Sequence, residues 1–388
     1  MNRAWETVNL GDICRITSSK RIFAKEYRTS GVPFYRGKEI IEKHNGRKVS
    51  NELYISKERY EEIRNKFDVP KKGDILLSSV GTLGVAWLVD EDEFYFKDGN
   101  LTWLRCNEKM IPGFLYLWLN SPSARNQINA MCIGSTQKAL TIETLKKFLV
   151  ELPPIETQKR ICRIIDPISN KIKTNNQINK NLSEQLQALY TSEFDVTVHH
   201  ATAKLSDICH YSVERVNVDE LSTKTYYSTE NMQPNKVSSV EATNLPSIKQ
   251  TTRCHKGDVL VSNIRPYFKK IEYVTTECGC STDVLCFVPA SKDLSAFLYE
   301  TLYADRFFDY MVAGSKGTKM PRGDKQQIMQ YEVVMPSSEQ LLAFNAAATP
   351  MLALITNGML ENERLSMLRD SLLPRLMSGE LDVSDIDF

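Results

Sequence analysis

The sequence lacks the long hydrophobic segments of membrane and secreted proteins. The N-terminal stretch MNRAWETVNLGDICR has no apolar run typical of a signal peptide. The apolar run IPGFLYLWL is too short to cross a bilayer. The nine cysteines are an odd number with no regular spacing, which favours reduced thiols over a disulfide framework. We therefore expect a cytoplasmic protein without a membrane contact.

Motifs of nucleic-acid enzymes are also missing. Leu-Pro-Pro-Ile at 152–155 is not the Asn/Asp-Pro-Pro-aromatic motif of an adenine methyltransferase. The stretch GVPFYRGK at 31–38 misses the spacing of a phosphate-binding loop, and no acidic-X-Lys triplet typical of nucleases occurs. Cys278-Gly279-Cys280, near Cys254 and His255, could ligate zinc, but structural zinc sites have wider paired spacings. We predict no catalytic residue and no metal site.

The sequence contains an internal repeat. KKGDILLSSVG and HKGDVLVSNIR, about half a chain apart, both place alternating aliphatic residues after Lys-Gly-Asp. A shift of 183 residues aligns the Phe-Leu-Tyr triplets at 114–116 and 297–299, and small gaps align LGDIC at 10–14 with LSDIC at 205–209. One such match is expected by chance, but several in the same order indicate a duplication. Each half has β-rich runs, a helical segment, a polar loop with a glycine, and a long helix.

A seven-residue apolar spacing predicts the long helix of each half. Its positions are Ile161, Ile168, Asn175, Leu182 and Leu189 in the first half, and Phe344, Met351, Leu365 and Leu372 in the second. Such a stripe is equally typical of a helix that faces its own domain core. However, residues 157–191 would form a helix roughly 50 Å long at about 1.5 Å per residue. That length favours a coiled-coil-like pair of the two helices, in which Asn175 sets the register.

Charge is distributed unevenly along the chain. Residues 1–150 have 24 Lys and Arg against 18 Asp and Glu, and residues 196–333 have 16 against 16. The tail, 334–388, has 3 against 8. A basic first half is compatible with nucleic-acid binding, and equally with a solvated basic face.

These patterns resemble the specificity subunit of type I restriction-modification systems, over nearly the whole chain. The resemblance rests on LPPIETQKRICRII, MPSSEQLLAFNAAATPMLALI and the terminal LSMLRDSLLPRLMSGELDV. KKGDILLSSVGTLG, KGDVLVSNIRPYFKK and GSTQKALT are typical of the target recognition domains of that family. The second half departs from the pattern, because LPPIETQ becomes MPSSEQL and the GSTQ-type loop becomes GSKGTKMPRGD.

The resemblance implies an α+β fold with two similar mixed α/β target recognition domains in a pseudo-two-fold arrangement. Two long antiparallel helices separate and join them. The expected boundaries are 1–153 and 196–335 for the recognition domains, 154–195 for the first helical spacer, and 336–388 for the second spacer with an acidic tail.

The resemblance also implies partners. Each recognition domain would read one half of a split double-stranded DNA target. Two methyltransferase subunits, which carry S-adenosylmethionine, would dock on the helices, and restriction motor-nuclease subunits that use ATP and Mg²⁺ would join them. The chain itself would hold no cofactor and would not be catalytic.

Candidate DNA contacts are cations for phosphates, and amides, hydroxyls and guanidinium groups for base edges, in loops beside predicted strands. For any single residue, a plain surface role is the simpler interpretation. In the first domain the candidates are Lys20, Arg21, Arg36, Lys38, Ser135, Thr136, Gln137 and Lys138. In the second they are Arg215, Asn263, Arg265, Tyr267, Ser315, Lys316, Thr318, Lys319 and Arg322.

Three other functions stay open at the level of sequence. One is a stand-alone nuclease or methyltransferase, for which the motifs are missing. Another is a duplicated scaffold that binds only proteins. The third is the recognition subunit of a two-subunit, type II-like restriction-modification enzyme.

Overall fold

The computed structural model describes residues 5–46, 49, 53–90, 93–132, 139–317, 319–383 and 386. The chain divides into two compact units. The first unit contains Met1–Thr174 and Asn362–Phe388, and the second contains Asn175–Glu361.

The first unit combines short strands with short helices and one half of a long helix. Its strands are β1 (Glu6–Asn9), β2 (Cys14–Thr17), β3 (Val32–Tyr35), β4 (Tyr54–Ile55), β5 (Ile75–Ser78), β6 (Ala86–Leu88), β7 (Tyr95–Phe96), β8 (Leu101–Cys106) and β9 (Leu149–Leu152). Its helices are α1 (Leu10–Ile13), α2 (Gly37–His44), α3 (Lys57–Phe67), α4 (Pro112–Leu119), α5 (Pro122–Cys132), α6 (Ile142–Lys146) and the start of α7 (Ile155–Phe194).

The core of the first unit is an antiparallel sheet in the order β2-β8-β5-β6. A three-stranded sheet, β4-β3-β7, and the pair β1-β9 accompany it. Side chains alternate along β5: Ile75 and Leu77 face the core that contains α4 to α7, and Leu76 faces an aromatic cluster with Trp103. Burial on both faces explains why this strand reads as a continuous apolar run.

The second unit repeats this plan. Its strands are β10 (Ala203–Lys204), β11 (Cys209–Tyr211), β12 (Arg215–Asn217), β13 (Tyr226–Tyr227), β14 (Gln250–Cys254), β15 (Val259–Ser262), β16 (Ile271–Tyr273), β17 (Cys278–Cys280), β18 (Val284–Pro289) and β19 (Glu332–Val333). Its helices are α8 (Leu205–Ile208), α9 (Ser295–Tyr303), α10 (Asp305–Ala313), α11 (Lys325–Ile328) and most of α12 (Ser338–Met377).

Strand order confirms the duplication. The sheet β11-β18-β15-β16 matches β2-β8-β5-β6, and the pair β10-β19 matches β1-β9. The second sheet, β12-β14-β17-β13, is one strand larger than its counterpart. The predicted α+β class, with two similar mixed α/β domains related by duplication and joined by long helices, is thus confirmed.

The repeated Lys-Gly-Asp motif is a turn that starts the central strand of each unit. Gly73 and Gly257 have φ values of 91° and 98°, which glycine adopts without strain. The Asp74 carboxylate accepts a hydrogen bond from the backbone N–H of Lys71 at 2.9 Å, and Asp258 accepts one from His255 at 2.7 Å. The motif recurs because the fold needs the same turn twice, and it carries no chemistry of its own.

Helices α7 and α12 each have 40 residues, which corresponds to about 60 Å. In the second unit they run antiparallel, because Asn175 of α7 donates to Glu361 of α12 at 2.7 Å while Phe194 packs on Phe344 at 5.6 Å between ring centroids. In the first unit, Ile161 near the start of α7 shares an apolar core with residues 373–377 near the end of α12.

The positions of the predicted seven-residue stripe are buried to different extents. Ile161, Asn175 and Phe344 are buried. The remaining stripe positions are partly buried: Ile168, Leu182, Leu189, Met351, Leu365 and Leu372.

Helix α12 is the one described helix that is long and apolar enough, by length and composition, to cross a membrane. Its most apolar 18-residue window has a mean hydropathy of 1.3, and 17% of it is buried. Small and amide side chains interrupt the apolar residues of α12, so the sequence shows no long continuous apolar run there. Leu342, Ala346, Ala353 and Leu360 make up an exposed apolar face of this helix, opposite the buried Phe344.

Candidate nucleic-acid interface

Three loops of the second unit converge on Asn263. Its backbone N–H donates to the carbonyl of Asp283 at 2.9 Å, and its carbonyl accepts from the N–H of Gly323 at 3.2 Å. The β15–β16 hairpin is joined to the last of these loops again by the backbone bridge between Ile264 and Arg322. We call this site the loop cluster, which comprises residues 263–270, 281–283, 314–317 and 319–325.

Close approach of the backbones requires the residue types found there. A Cβ atom on Gly323 would lie 2.8 Å from Oδ1 of Asn263, so a larger residue would push the loops apart. Asn263 is itself only 8% exposed, and its Oδ1 has no hydrogen-bond partner within the described chain. Asn263 is thus a buried residue that holds the three loops together through its backbone hydrogen bonds.

The loop cluster exposes cations, of which two are held by acidic residues. Lys316 pairs with Asp324 at 2.5 Å, and Arg322 pairs with Asp283 at 3.0 Å. The cationic side chains of both pairs are exposed to solvent, where ion pairs contribute little to stability, so they can be redirected toward another anion at little cost. Lys319 is exposed and makes no ion pair within the described residues.

Ser315 and Tyr267 differ in how they present their polar groups. The Ser315 hydroxyl donates to the carbonyl of Val312 at 2.7 Å and so caps the end of α10. Tyr267 is exposed at the tip of the hairpin. The predicted residue Thr318 lies outside the described residues.

A cleft of about 160 Å³ borders the loop cluster. Its lining includes Arg215, Lys325, Tyr211 and Thr282. Arg215 was predicted from sequence, whereas Lys325 was missed. Its position directly after Asp324 could have indicated that Lys325 starts a helix beside the loop. The Asp324 carboxylate accepts hydrogen bonds from the backbone N–H groups of Gln326 and Gln327 and so caps the start of α11.

The first unit has the same junction of three loops. The N–H of Ser79 donates to the carbonyl of Asn100, and its carbonyl accepts from the N–H of Leu140, both at 2.9 Å. A bridge between Val80 and Ala139 matches that between Ile264 and Arg322 in the second unit. The predicted residues Ser135, Thr136, Gln137 and Lys138 directly precede Ala139 in the sequence and lie outside the described residues.

Lys20 and Arg21 lie near this junction. Arg21 donates to Asp98 at 3.1 Å, and Asp98 belongs to the same turn as Asn100. The Lys20 ammonium lies 4.4 Å from the centroid of the Phe67 ring. Both side chains are exposed, which is compatible with contacts to phosphates.

Arg36 and Lys38 lie at the start of α2, and the half-exposed Arg36 is paired with a buried carboxylate. It pairs with Glu39, which has no exposed surface, at 2.8 Å. Burial opposes ionisation of Glu39, but the hydrogen bonds from Arg36 keep the pKa of this carboxyl below its ordinary value. Lys38 is exposed and lies 3.9 Å from Glu42.

Four cysteines form a buried cluster in the second unit, and they include the three that the sequence offers as possible zinc ligands. Cys254, Cys278, Cys280 and Cys286 share it with Met232. Contact with the neighbouring thiols and burial raise the pKa of Cys254 far above its ordinary value, so its thiol is neutral. Within the described residues, no three or more His, Cys, Asp or Glu side chains are arranged to hold a metal ion.

Residues 2–184 match the family model of the type I restriction modification DNA specificity domain. A putative type I restriction enzyme specificity subunit of Haemophilus influenzae is 33% identical over 162 residues, which are 42% of this chain and 39% of the relative. The HindI specificity subunit of the same organism is 22% identical, with 97% of this chain and 99% of the relative covered.

The fold has a counterpart among solved structures. The type I restriction-modification S subunit from M. genitalium aligns with a TM-score of 0.60 at 15% identity, over 97% of each chain. Residues 2–184 are thus similar to the DNA specificity domain of type I restriction-modification systems, and nearly the whole chain is similar to the HindI specificity subunit. The fold is that of the solved S subunit.

Proposed function

We propose that the chain reads a bipartite double-stranded DNA target, with one half-site for each unit, and brings methyltransferase and restriction subunits to it. The observation that carries this proposal is the three-loop junction that occurs in both units, with exposed cations beside it. Arg21 lies beside the junction of the first unit, and Lys319 and Arg322 belong to that of the second. Two similar surfaces with different side chains suit the reading of two different half-sites.

The chemistry of the loops supports DNA as the ligand. Lysine and arginine neutralise phosphates, and this electrostatic term supplies much of the affinity of DNA-binding proteins. Arginine also pairs with the O6 and N7 atoms of guanine through two hydrogen bonds, which discriminates between bases by about 1–3 kcal/mol. In the second unit, the acidic partners Asp283 and Asp324 offset part of the cationic charge, so methyltransferase subunits would share in gripping the DNA backbone.

The exposed apolar face of α12 supports a protein partner. Leu342, Ala346, Ala353 and Leu360 recur on one side of a helix whose other side carries the core residue Phe344. Exposed apolar residues that recur on one side of a helix suit a protein-binding site. We assign this face to the docking of methyltransferase subunits, while restriction subunits would join the assembled complex.

An exchange of recognition domains tests the proposal. Residues 1–153 are replaced by the equivalent domain of another specificity subunit, and the modified adenines of cells that carry the hybrid and its methyltransferase are sequenced. We expect one half of the methylated site to change and the other half to stay. The matched exchange of residues 196–335 should change only the other half. A simultaneous change of both halves by either exchange would contradict the two-reader model.

Two alternatives predict other results. A protein scaffold would shift no DNA in a gel, with or without methyltransferase subunits. A type II-like recognition subunit would support cleavage in a complex with a single partner that both methylates and cuts, whereas the proposal requires separate restriction subunits for cleavage.

A further inference from the structure

The hairpin between β15 and β16 carries two exposed aromatic side chains at its tip. Tyr267 is 49% exposed and Phe268 is 37% exposed. Their ring centroids are 4.7 Å apart with an interplanar angle of 55°, so the rings contact each other as well as solvent. Single exposed apolar residues are common on protein surfaces, but an adjacent aromatic pair at a hairpin tip is a candidate binding element.

The backbone around this pair is strained. Arg265 and Lys269, on either side of it, both have φ values of 50° in the left-handed region. The corresponding hairpin of the first unit, between β5 and β6, has Gly81 and Gly84 at its left-handed positions, with φ values of 78° and 75°. A non-glycine residue there costs roughly 1–2 kcal/mol. The second unit therefore bears cationic side chains where its counterpart uses glycine, and such strain is concentrated at functional sites.

Neighbouring segments hold the tip in place. The backbone N–H of Asn235 donates to the carbonyl of Phe268 at 2.7 Å, and the N–H of Arg265 donates to the carbonyl of Pro321 at 2.8 Å. Lys269 also forms an ion pair with Asp305 at 2.8 Å. A hairpin fixed in this way loses little conformational entropy when it binds a ligand. The aromatic pair is thus presented rigidly, beside the cations of the loop cluster.

We propose that Tyr267 and Phe268 form an aromatic wedge that inserts at one base step of the half-site read by the second unit. The inference rests on the proposed DNA-reading function. The charge of the surroundings favours DNA as the ligand of the pair. Arg265, Lys319 and Arg322 belong to the same loop cluster, and cations beside aromatic rings suit a polyanion with stacked bases better than an apolar protein surface. Apolar side chains that insert between base pairs unstack the step and bend the duplex. The tip of the β5–β6 hairpin carries no aromatic residue, so the wedge belongs to one half-site only.

Fluorescence of 2-aminopurine tests the wedge. The full chain in complex with its methyltransferase subunits is titrated with duplexes that contain the target mapped from modified adenines, with 2-aminopurine placed in turn at each position of the half-site assigned to residues 196–335. We expect the fluorescence to rise several-fold at one step. The double variant Tyr267→Ala/Phe268→Ala should lose that rise and bind at least tenfold more weakly, with an unchanged dependence on salt, since no phosphate contact is removed.

Two variants control for the aromatic character of the site. Tyr267→Phe keeps the ring and should keep the fluorescence rise. Ile248→Ala removes an exposed apolar side chain from another loop of the same unit and should change neither affinity nor fluorescence.

Each other outcome overturns the wedge in a distinguishable way. If the complex binds its target but no position brightens, or if the double variant behaves like the wild type, the wedge is wrong and the DNA-reading function stands. If the double variant loses methyltransferase subunits and not DNA, the pair is a protein contact. If the complex binds no DNA, the proposed function fails and the wedge with it.

Discussion

At the scale of residues, burial makes the side-chain carboxyl group of Glu300 difficult to ionise. It lies in α9, is 2% exposed, and its Oε2 has no hydrogen-bond partner among the described residues. Burial raises its pKa to about 8, although the nearby Lys236 acts in the opposite direction. The folded protein therefore binds more protons than the unfolded chain between the ordinary pKa of 4.5 and about 8, and the free energy of unfolding falls as the pH rises through that window.

Glu300→Gln should remove this dependence. We expect the variant to be more stable than the wild type at pH 8.5, by on the order of 2–4 kcal/mol, with a smaller difference at pH 5. Urea denaturation across this pH range measures it. Glu332→Gln, a change at an exposed glutamate of the same unit, serves as the control and should have no such effect. A wild-type stability that stays level from pH 5 to 8.5 would contradict the burial argument.

The substitution Arg265→Gly tests whether this strained position is retained for DNA binding. Arg265→Gly relieves the left-handed backbone, and this gain offsets the entropy that glycine loses on folding. We expect no loss of thermal stability but weaker DNA binding, with a salt dependence reduced by about one phosphate contact. The matched variant Lys269→Gly should relieve the same strain. If Arg265→Gly binds DNA like the wild type, the guanidinium group has no role in binding.

At the scale of elements, α12 presents one face to the fold and an apolar face to solvent. Leu342, which is 73% exposed, belongs to that second face. Leu342→Glu adds a charge without opening a cavity, so the free energy of unfolding should be nearly unchanged. Affinity for the methyltransferase subunit, measured by calorimetry or analytical ultracentrifugation, should fall at least tenfold, which is about 1.4 kcal/mol.

Gln185→Glu provides the charge-matched control for this prediction. It adds one negative charge at an exposed polar position of α7, and the complex should form with wild-type affinity. Equal weakening by both variants would indicate a general effect of charge and would remove α12 as the docking element.

At the scale of the whole molecule, we propose that the long helices set the gap between the two half-sites. Asn175 and Glu361 pair between α7 and α12, so four residues inserted after each of them would lengthen both helices by about one turn, or 6 Å. That length is close to two base pairs. We expect a methylated site with both half-sequences intact and an unread gap about two base pairs longer.

The same four residues inserted after Ser247, in an exposed loop of the second unit, should leave the gap unchanged. Sequencing of modified adenines measures both results. An active variant with lengthened helices and the original gap would show that the helices do not determine the spacing.

The sequence alone predicted the fold class, the duplication and the two long helices. The duplication and the helices depend on local patterns, namely the Lys-Gly-Asp turn, the apolar run of strands such as β5, and the apolar stripe of each helix, whereas the fold class was implied by the family resemblance. The family resemblance also rests on residues with a structural role. Gln158 of LPPIETQ is fully buried and bonds to the carbonyls of Lys109 and Pro153 and to the N–H of Ile111.

Only the tertiary structure decided which candidate residues meet. Asn263, Asp283 and Gly323 are separated by 20 to 60 positions, and their backbone hydrogen bonds arise from strand pairing that no local pattern specifies. The loop cluster, the adjacent cleft with Lys325, and the engagement of Arg36 by buried Glu39 all follow from such long-range contacts. A sequence shows which side chains are able to bind DNA, but the paths of the loops determine which of them share a surface, because only packing brings distant segments together.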